Sequence, residues 1–245
     1  MAEQRHLSKA PITEALINIQ VMLPTHTRTV EHLAALDAKF RDQYPDKKTI
    51  EEFQYKFEAM PPHTGQTSSK QLGFKYTSRD NTQVVQATIS GLTFSRLPPY
   101  EDWSNLRAEA WRAWKIYADL LHPESITRVA ARYINKLELP GPHIDFDHYL
   151  NYVPVVPKAL PQMYAGFFSR IVVPDTKGQC LAIITQMYQP GQDPSVVSVV
   201  LDIDVIRDKL FANEQEAWAT IDQLRDFKNL IFFDSITEKS VELYQ

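Results

Sequence analysis

The sequence predicts an α+β protein in which antiparallel sheet, in one piece or two, packs on two long helices. Three observations lead there. Many short segments alternate polar and apolar residues, and they follow one another through turns short enough for hairpins. Two longer segments carry apolar residues at spacings of three and four.

Residues 12–22 alternate loosely and stop at Pro24, which predicts the first strand. From Thr27 to Tyr44, Val30, Leu33, Ala34, Leu36 and Phe40 recur at near-helical spacing ahead of Pro45, a helix stop. Phe53, Tyr55 and Phe57 alternate with Gln54 and Lys56 in a second strand. Pro61 through Ser69 has the composition of a loop. Strands at about 71–78, 82–89 and 92–97 follow, joined at Arg79-Asp80-Asn81 and at Ser90-Gly91.

A helix from Asp102 to about Leu121 carries Leu106, Ala110, Trp114, Tyr117 and Leu121 as a stripe. The acidic pair Glu101-Asp102 suits its N-terminus, and Pro123 lies just past its end. Residues 126–138 form a long strand closed by Pro140-Gly141-Pro142. Strands at 166–173, 180–189 and 196–203 come next, with turns at Asp175–Gly178 and Pro190–Pro194. A helix over about 214–227 carries Ala217, Trp218, Ile221 and Leu224. Leu230–Phe233 is a short apolar run, and Ser235 is placed to cap a last helical turn through Glu238.

Each half thus reads as strand, connection, several antiparallel strands and helix, and both helices hold a Glu-Ala-Trp triplet (Glu109–Trp111 and Glu216–Trp218). The expectation is an internal duplication of a strand-helix-strands-helix unit. Its halves span residues 1–123 and 124–245 and pack as one compact unit.

Composition narrows the function classes. The chain has 245 residues, 44% hydrophobic and 23% charged, enough apolar material for a core. A net charge of −4 disfavours broad nucleic-acid binding, which needs a basic footprint. One cysteine, Cys180, excludes an internal disulfide framework and any multi-thiolate metal site, and its apolar surroundings suit a small buried side chain. No segment approaches the roughly 20 apolar residues of a membrane span, and residues 1–14 show no signal core. The expected location is the cytoplasm.

The strand 126–138 carries the most chemical information. Alternation places Arg128, Ala130, Arg132, Ile134 and Lys136 on one face, and Thr127, Val129, Ala131, Tyr133 and Asn135 on the other. One reading is a concave basic surface for a phosphate, a carboxylate or a nucleic-acid backbone, groups that an arginine fork can hold in two hydrogen bonds. Arg96 and Arg170 are candidates to join it. The other reading is a solvated face with structural salt bridges to Glu14 or Glu138.

The segment His143–His148 places two histidines and two aspartates in six residues, a composition that suits a divalent metal. It follows a Pro-Gly-Pro loop, however, and Asp145 or Asp147 as a cap is the preferred reading, so no metal ligand is assigned. Phosphate loop, dinucleotide fingerprint, His-Glu-x-x-His and nucleophile elbow are all missing, and 7 glycines argue against a backbone phosphate cradle. No catalytic residue and no cofactor is assigned. Trp103, Trp111 and Trp114 read as core packing.

Four segments carry a resemblance: Pro11–Ala15 opening the first strand, Phe94-Ser95-Arg96-Leu97-Pro98-Pro99-Tyr100-Glu101-Asp102-Trp103, Arg132-Tyr133-Ile134-Asn135, and Ser235-Ile236-Thr237-Glu238. Together they resemble a sporadically distributed family of uncharacterised prokaryotic proteins of about this length. The resemblance implies no activity, ligand or catalytic residue to carry over. Its scattered occurrence implies mobile genes of the defence or toxin-associated kind.

The leading functional expectation is a binding module for an anionic ligand or a partner protein, with a homodimer admitted. Arg96, Arg128 and Arg132 supply charge, Tyr100 and Asn135 hydrogen bonds, and Glu14 orients an arginine. Alternation already separates Asn135 from Arg132, so one shared pocket requires a strand end or a bulge. Two further readings are a metal-assisted enzyme on a nucleotide or phosphoester and a structural subunit of a complex.

Overall fold

The computed structural model describes residues 7–57, 65–141, 144–188 and 195–245. Its centre is β1 (Ile12–Met22), where Ala15, Ile17, Ile19 and Val21 are buried on one face and Glu14, Leu16, Asn18 and Gln20 stand on the other. β1 pairs antiparallel on both edges, with β5 (Gly91–Arg96) and with β6 (Ser125–Pro140). Beyond β5 lie β4 (Gln83–Thr88), β3 (Gly65–Thr77) and β2 (Asp46–Phe57). Beyond β6 lie β9 (Val196–Asp208), β8 (Cys180–Tyr188) and β7 (Phe167–Asp175).

Turn chemistry fixes the register. Asn81 takes a left-handed φ of 58° between β3 and β4, where the Asp80 carboxylate accepts from the Ser78 hydroxyl and the Thr82 amide. Gly91 opens β5 at φ 148°, and an added Cβ would lie 2.1 Å from the Ile19 carbonyl oxygen. Only glycine fits there.

Five helices accompany the sheet: α1 (Val30–Ala34), α2 (Asp37–Phe40), α3 (Trp103–Leu121), α4 (Glu214–Ser235) and α5 (Glu238–Glu242). Asp102 caps α3 by accepting from the Asn105 amide at 2.9 Å, and Asn213 caps α4 by accepting from the Glu216 amide at 2.9 Å. α3 lies on β5 and β1, and α4 lies on β6 and β9, so both cover one face of the sheet. They meet where Trp111 packs edge-on against Trp218 and Arg107 pairs with Asp222 at 2.8 Å. Trp114 and Trp218 are among the largest fully or nearly fully buried side chains.

The expected fold is corrected in four places. First, two sheet-on-helix units give way to one nine-stranded antiparallel sheet with its helical residues spread over five helices. The cause is β1 and β6: both are long and apolar on one face, and pairing them removes the edges that two separate sheets would expose. The duplicated unit falls with it, because the described residues between β6 and β7 hold a 3₁₀ turn (Phe146–His148) and no α-helix where the unit needs one. Second, the helix over 27–44 breaks into α1 and α2 at Ala35-Leu36. Third, β2 begins at Asp46 and β3 at Gly65, so part of the expected loop 61–69 is strand. Fourth, α4 runs through the apolar run to Ser235, and Thr237, not Ser235, caps the final helix.

Two expected features, the turn at 190–194 and the side chain of His143, lie outside the described residues. No described helix is long and apolar enough to cross a membrane.

Candidate functional site

The sheet face away from α3 and α4 carries the arginine row, and it is not basic. Arg132 donates Nε and Nη2 to the two oxygens of Asp202 at 2.9 and 2.6 Å. Arg128 pairs with Asp208 at 3.5 Å and Lys136 with Glu138 at 2.9 Å. Asp204 stands directly across the ladder from Arg132, and burial raises its pKa while Arg132 and Arg128 oppose that rise. The expected salt bridges are to Glu14 or Glu138: Glu138 pairs with Lys136, while β9 supplies the counter-charges of Arg128 and Arg132. Glu14 makes no ion pair among the described residues. Arg170 sits on β7, three strands and about 14 Å from β6.

Because the Arg132 side chain is 40% exposed, the pair stabilises modestly. Asp202→Asn is expected to lower unfolding free energy by about 1 kcal/mol in urea titrations. A loss several times larger would show a ligand-independent role for this face that the exposure does not support.

The remaining predicted residues lie on the helix-covered side. Arg96 is committed to the Pro99 carbonyl, the Thr82 hydroxyl and Glu101, at 3.1–3.2 Å, beside a small cavity of about 230 Å³. Tyr100 and Asn135 open instead on a larger cavity of about 330 Å³, within the range of small-molecule sites. Its floor is the helix-side face of β6, with Tyr133 and Asn135. The chain entering α3 (Tyr100–Trp103) makes one wall, α4 another, and residues 7–12 a third.

The residue that sequence reasoning missed is Lys228. It is 6% exposed, and its Nζ lies 3.5 Å from the centroid of the Tyr133 ring. Among the described residues it has no hydrogen-bond or ion-pair partner. The two acids on the cavity wall are otherwise engaged. Glu101 accepts from Arg96 and Asn105, and Asp102 caps α3. Burial, with help from the neighbouring Arg225 charge, lowers the Lys228 pKa to about 7. Arg225, three residues back on α4, pairs with Asp226 at 2.8 Å and faces the Trp103 ring.

Beside the amine the Tyr100 and Tyr133 hydroxyls are 3.3 Å apart. One donates to the other, so the acceptor's own hydrogen is left to donate onward. Burial raises both phenol pKa values, Tyr133 strongly, which keeps both protonated. The Asn135 amide nitrogen donates to the Leu201 carbonyl at 3.0 Å and steadies the floor.

The signal for Lys228 is present in the spacing. Ala217, Ile221, Leu224, Lys228 and Ile231 continue one buried stripe, and a lysine in that stripe must enter the core side of α4. The segment 144–148 forms a capped turn, Asp145 accepting from the Asp147 amide at 3.1 Å, and no metal-holding cluster of His, Cys, Asp and Glu exists among the described residues. Cys180 is half-buried, and its thiol pKa is raised by burial and by Asp175.

Fold and site define an α+β protein with a single antiparallel sheet and a ligand-sized cavity walled by an amine that has no ion-pair partner among the described residues. No protein-family model and no curated protein matches the chain.

Proposed function

We propose that the protein is a binding module whose larger cavity takes a small anionic ligand. One observation carries this reading: a buried lysine on the cavity wall with no carboxylate among the described residues to balance it. Charge in a protein interior is costly unless it is paired, and an anion entering here supplies the missing partner. Arg225 adds a permanent positive charge and the tyrosine pair a hydroxyl donor, while Phe232 and Trp103 receive the apolar part. The arginines of the open face are left as structural ion pairs.

The test is calorimetric titration with inorganic phosphate and with mono- and dicarboxylates from acetate to adipate. At least one is expected to bind, and binding tightens as pH falls through about 7, where Lys228 gains its proton. Lys228→Met is expected to weaken that affinity by at least about tenfold, roughly the 1.4 kcal/mol of one charge-assisted contact. Equal affinity in the variant, or no binding by any probe, overturns the reading.

A further inference from the structure

A lysine that serves only as a counter-charge gains nothing from the loss of its proton near neutrality. Lys228 is placed differently. Among the described residues no carboxylate is free to pair with it: the ammonium's favourable contact is the face of the Tyr133 ring, at 3.5 Å, and the two nearby acids are already engaged. On its own helix Arg225 repels it. On β6 Tyr133 offers a ring face, and on the chain entering α3 Tyr100 offers a hydroxyl while Glu101 and Asp102 are hydrogen-bonded elsewhere. In its neutral form the side chain presents a lone pair at the wall of an open, ligand-sized cavity. That is the arrangement of a nucleophilic amine.

We infer that the ligand of this cavity is a carbonyl compound bearing an anionic group, a 2-oxo acid in the simplest case, and that its carbonyl condenses with Lys228 Nζ. This rests on the proposed ligand cavity and names what the cavity holds. The Nζ lone pair forms a bond to the carbonyl carbon as the carbon–oxygen π pair moves onto oxygen, and one of the two nitrogen protons passes to that oxygen, giving a neutral carbinolamine. The tyrosine pair then protonates the carbinolamine hydroxyl, the carbon–oxygen bond breaks, water leaves, and the nitrogen loses its remaining proton to give a neutral imine. The tyrosine pair recovers its proton from the nitrogen, so carbonyl and amine are converted to imine and water with no change of oxidation state. Arg225 holds the ligand's anionic group.

The test uses the full chain with pyruvate and phenylpyruvate as probes and cyanoborohydride as reductant. Imine formation is expected to leave one adduct with the mass of the acid less one oxygen, on the peptide that contains Lys228. Labelling there at pH 7.5 is expected to be at least about tenfold faster than at the exposed Lys48, because a far larger fraction of Lys228 is unprotonated. Lys228→Arg is expected to abolish the adduct, and peptide mapping of the unaltered protein settles the site even if that variant fails to fold. If calorimetry shows a 2-oxo acid bound in the cavity but no adduct forms at Lys228 between pH 6 and 9, the carbonyl proposal is overturned and the anion site stands. If adducts spread evenly over exposed lysines, the proposal also fails. If the probes neither bind nor react, and phosphate and simple carboxylates do not bind either, both readings fall.

Discussion

Lys228→Met is expected to stabilise the fold, and the gain is expected to shrink as pH rises from 7 towards 10. In the unfolded chain this lysine has its ordinary pKa of 10.5; in the folded chain it is lowered to about 7. Below pH 7 both states carry the proton, and the folded state bears the full cost of a buried ammonium. Between 7 and 10.5 the unfolded chain holds a proton that the folded chain does not, so stability rises with pH by up to about 1.4 kcal/mol per pH unit. The ceiling on the cost is on the order of 5 kcal/mol, and relaxation reduces it to about 2–3 kcal/mol. Methionine fills the same volume without a charge. The check is urea unfolding of both proteins at intervals from pH 6 to 9, with the difference between them as the readout. The range stops below the phenol titrations, since the raised pKa values of Tyr100 and Tyr133 lower stability above about pH 10. Parallel curves for the two proteins would show that Lys228 is not held neutral.

Gly91→Ala is expected to be among the most damaging single changes in the chain. Its φ of 148° belongs to a region that side-chain-bearing residues rarely adopt, and the new Cβ would meet backbone: the Ile19 carbonyl oxygen at 2.1 Å and the Gln20 Cα at 2.8 Å. Neither can move without opening the β1–β5 ladder at the middle of the sheet. Strain and lost ladder together are expected to cost about 4 kcal/mol and to lower Tm by about 10 °C. Gly166→Ala serves as the control. There the nearest atom to a new Cβ is the Tyr188 carbonyl oxygen at 3.2 Å, and a Tm change within about 3 °C is expected. Thermal melts of both variants decide the point, and a mild effect at Gly91 would contradict the close approach of β1 and β5.

Strand alternation was legible wherever one face is buried. β6 shows this: Val129, Ala131, Tyr133 and Asn135 face the helices, Arg128, Arg132 and Lys136 face away, and the sequence assigned each to its side. The partners of those cations were not legible, because Asp202 and Asp208 lie on a strand about 70 residues further along and only the register of β6 against β9 brings them across. The same limit left open whether the sheet is one piece or two. Nothing local in β1 or β6 says which edge of each will be covered. α4 was truncated for a different reason: Lys228 interrupts the apolar stripe, and a charge is read as the end of a buried face when it stands inside one. A cavity needs four separate segments at once, so Tyr100 and Asn135 were named for their motifs without the lysine that gives them a use.

The strand at the middle of the sheet is synthesised before both of its neighbours. Asn18 bonds to Thr93, 75 positions later, and Thr13 bonds to Ile134, 121 positions later. At ordinary translation speeds of about 5–20 residues per second, β1 waits roughly 4–15 s for its first neighbour and longer for its second. Throughout that interval it is a nascent segment with apolar side chains and two bare edges. Its pairing is high in contact order, so the loop-closure entropy of both ladders is met before either edge of β1 is covered.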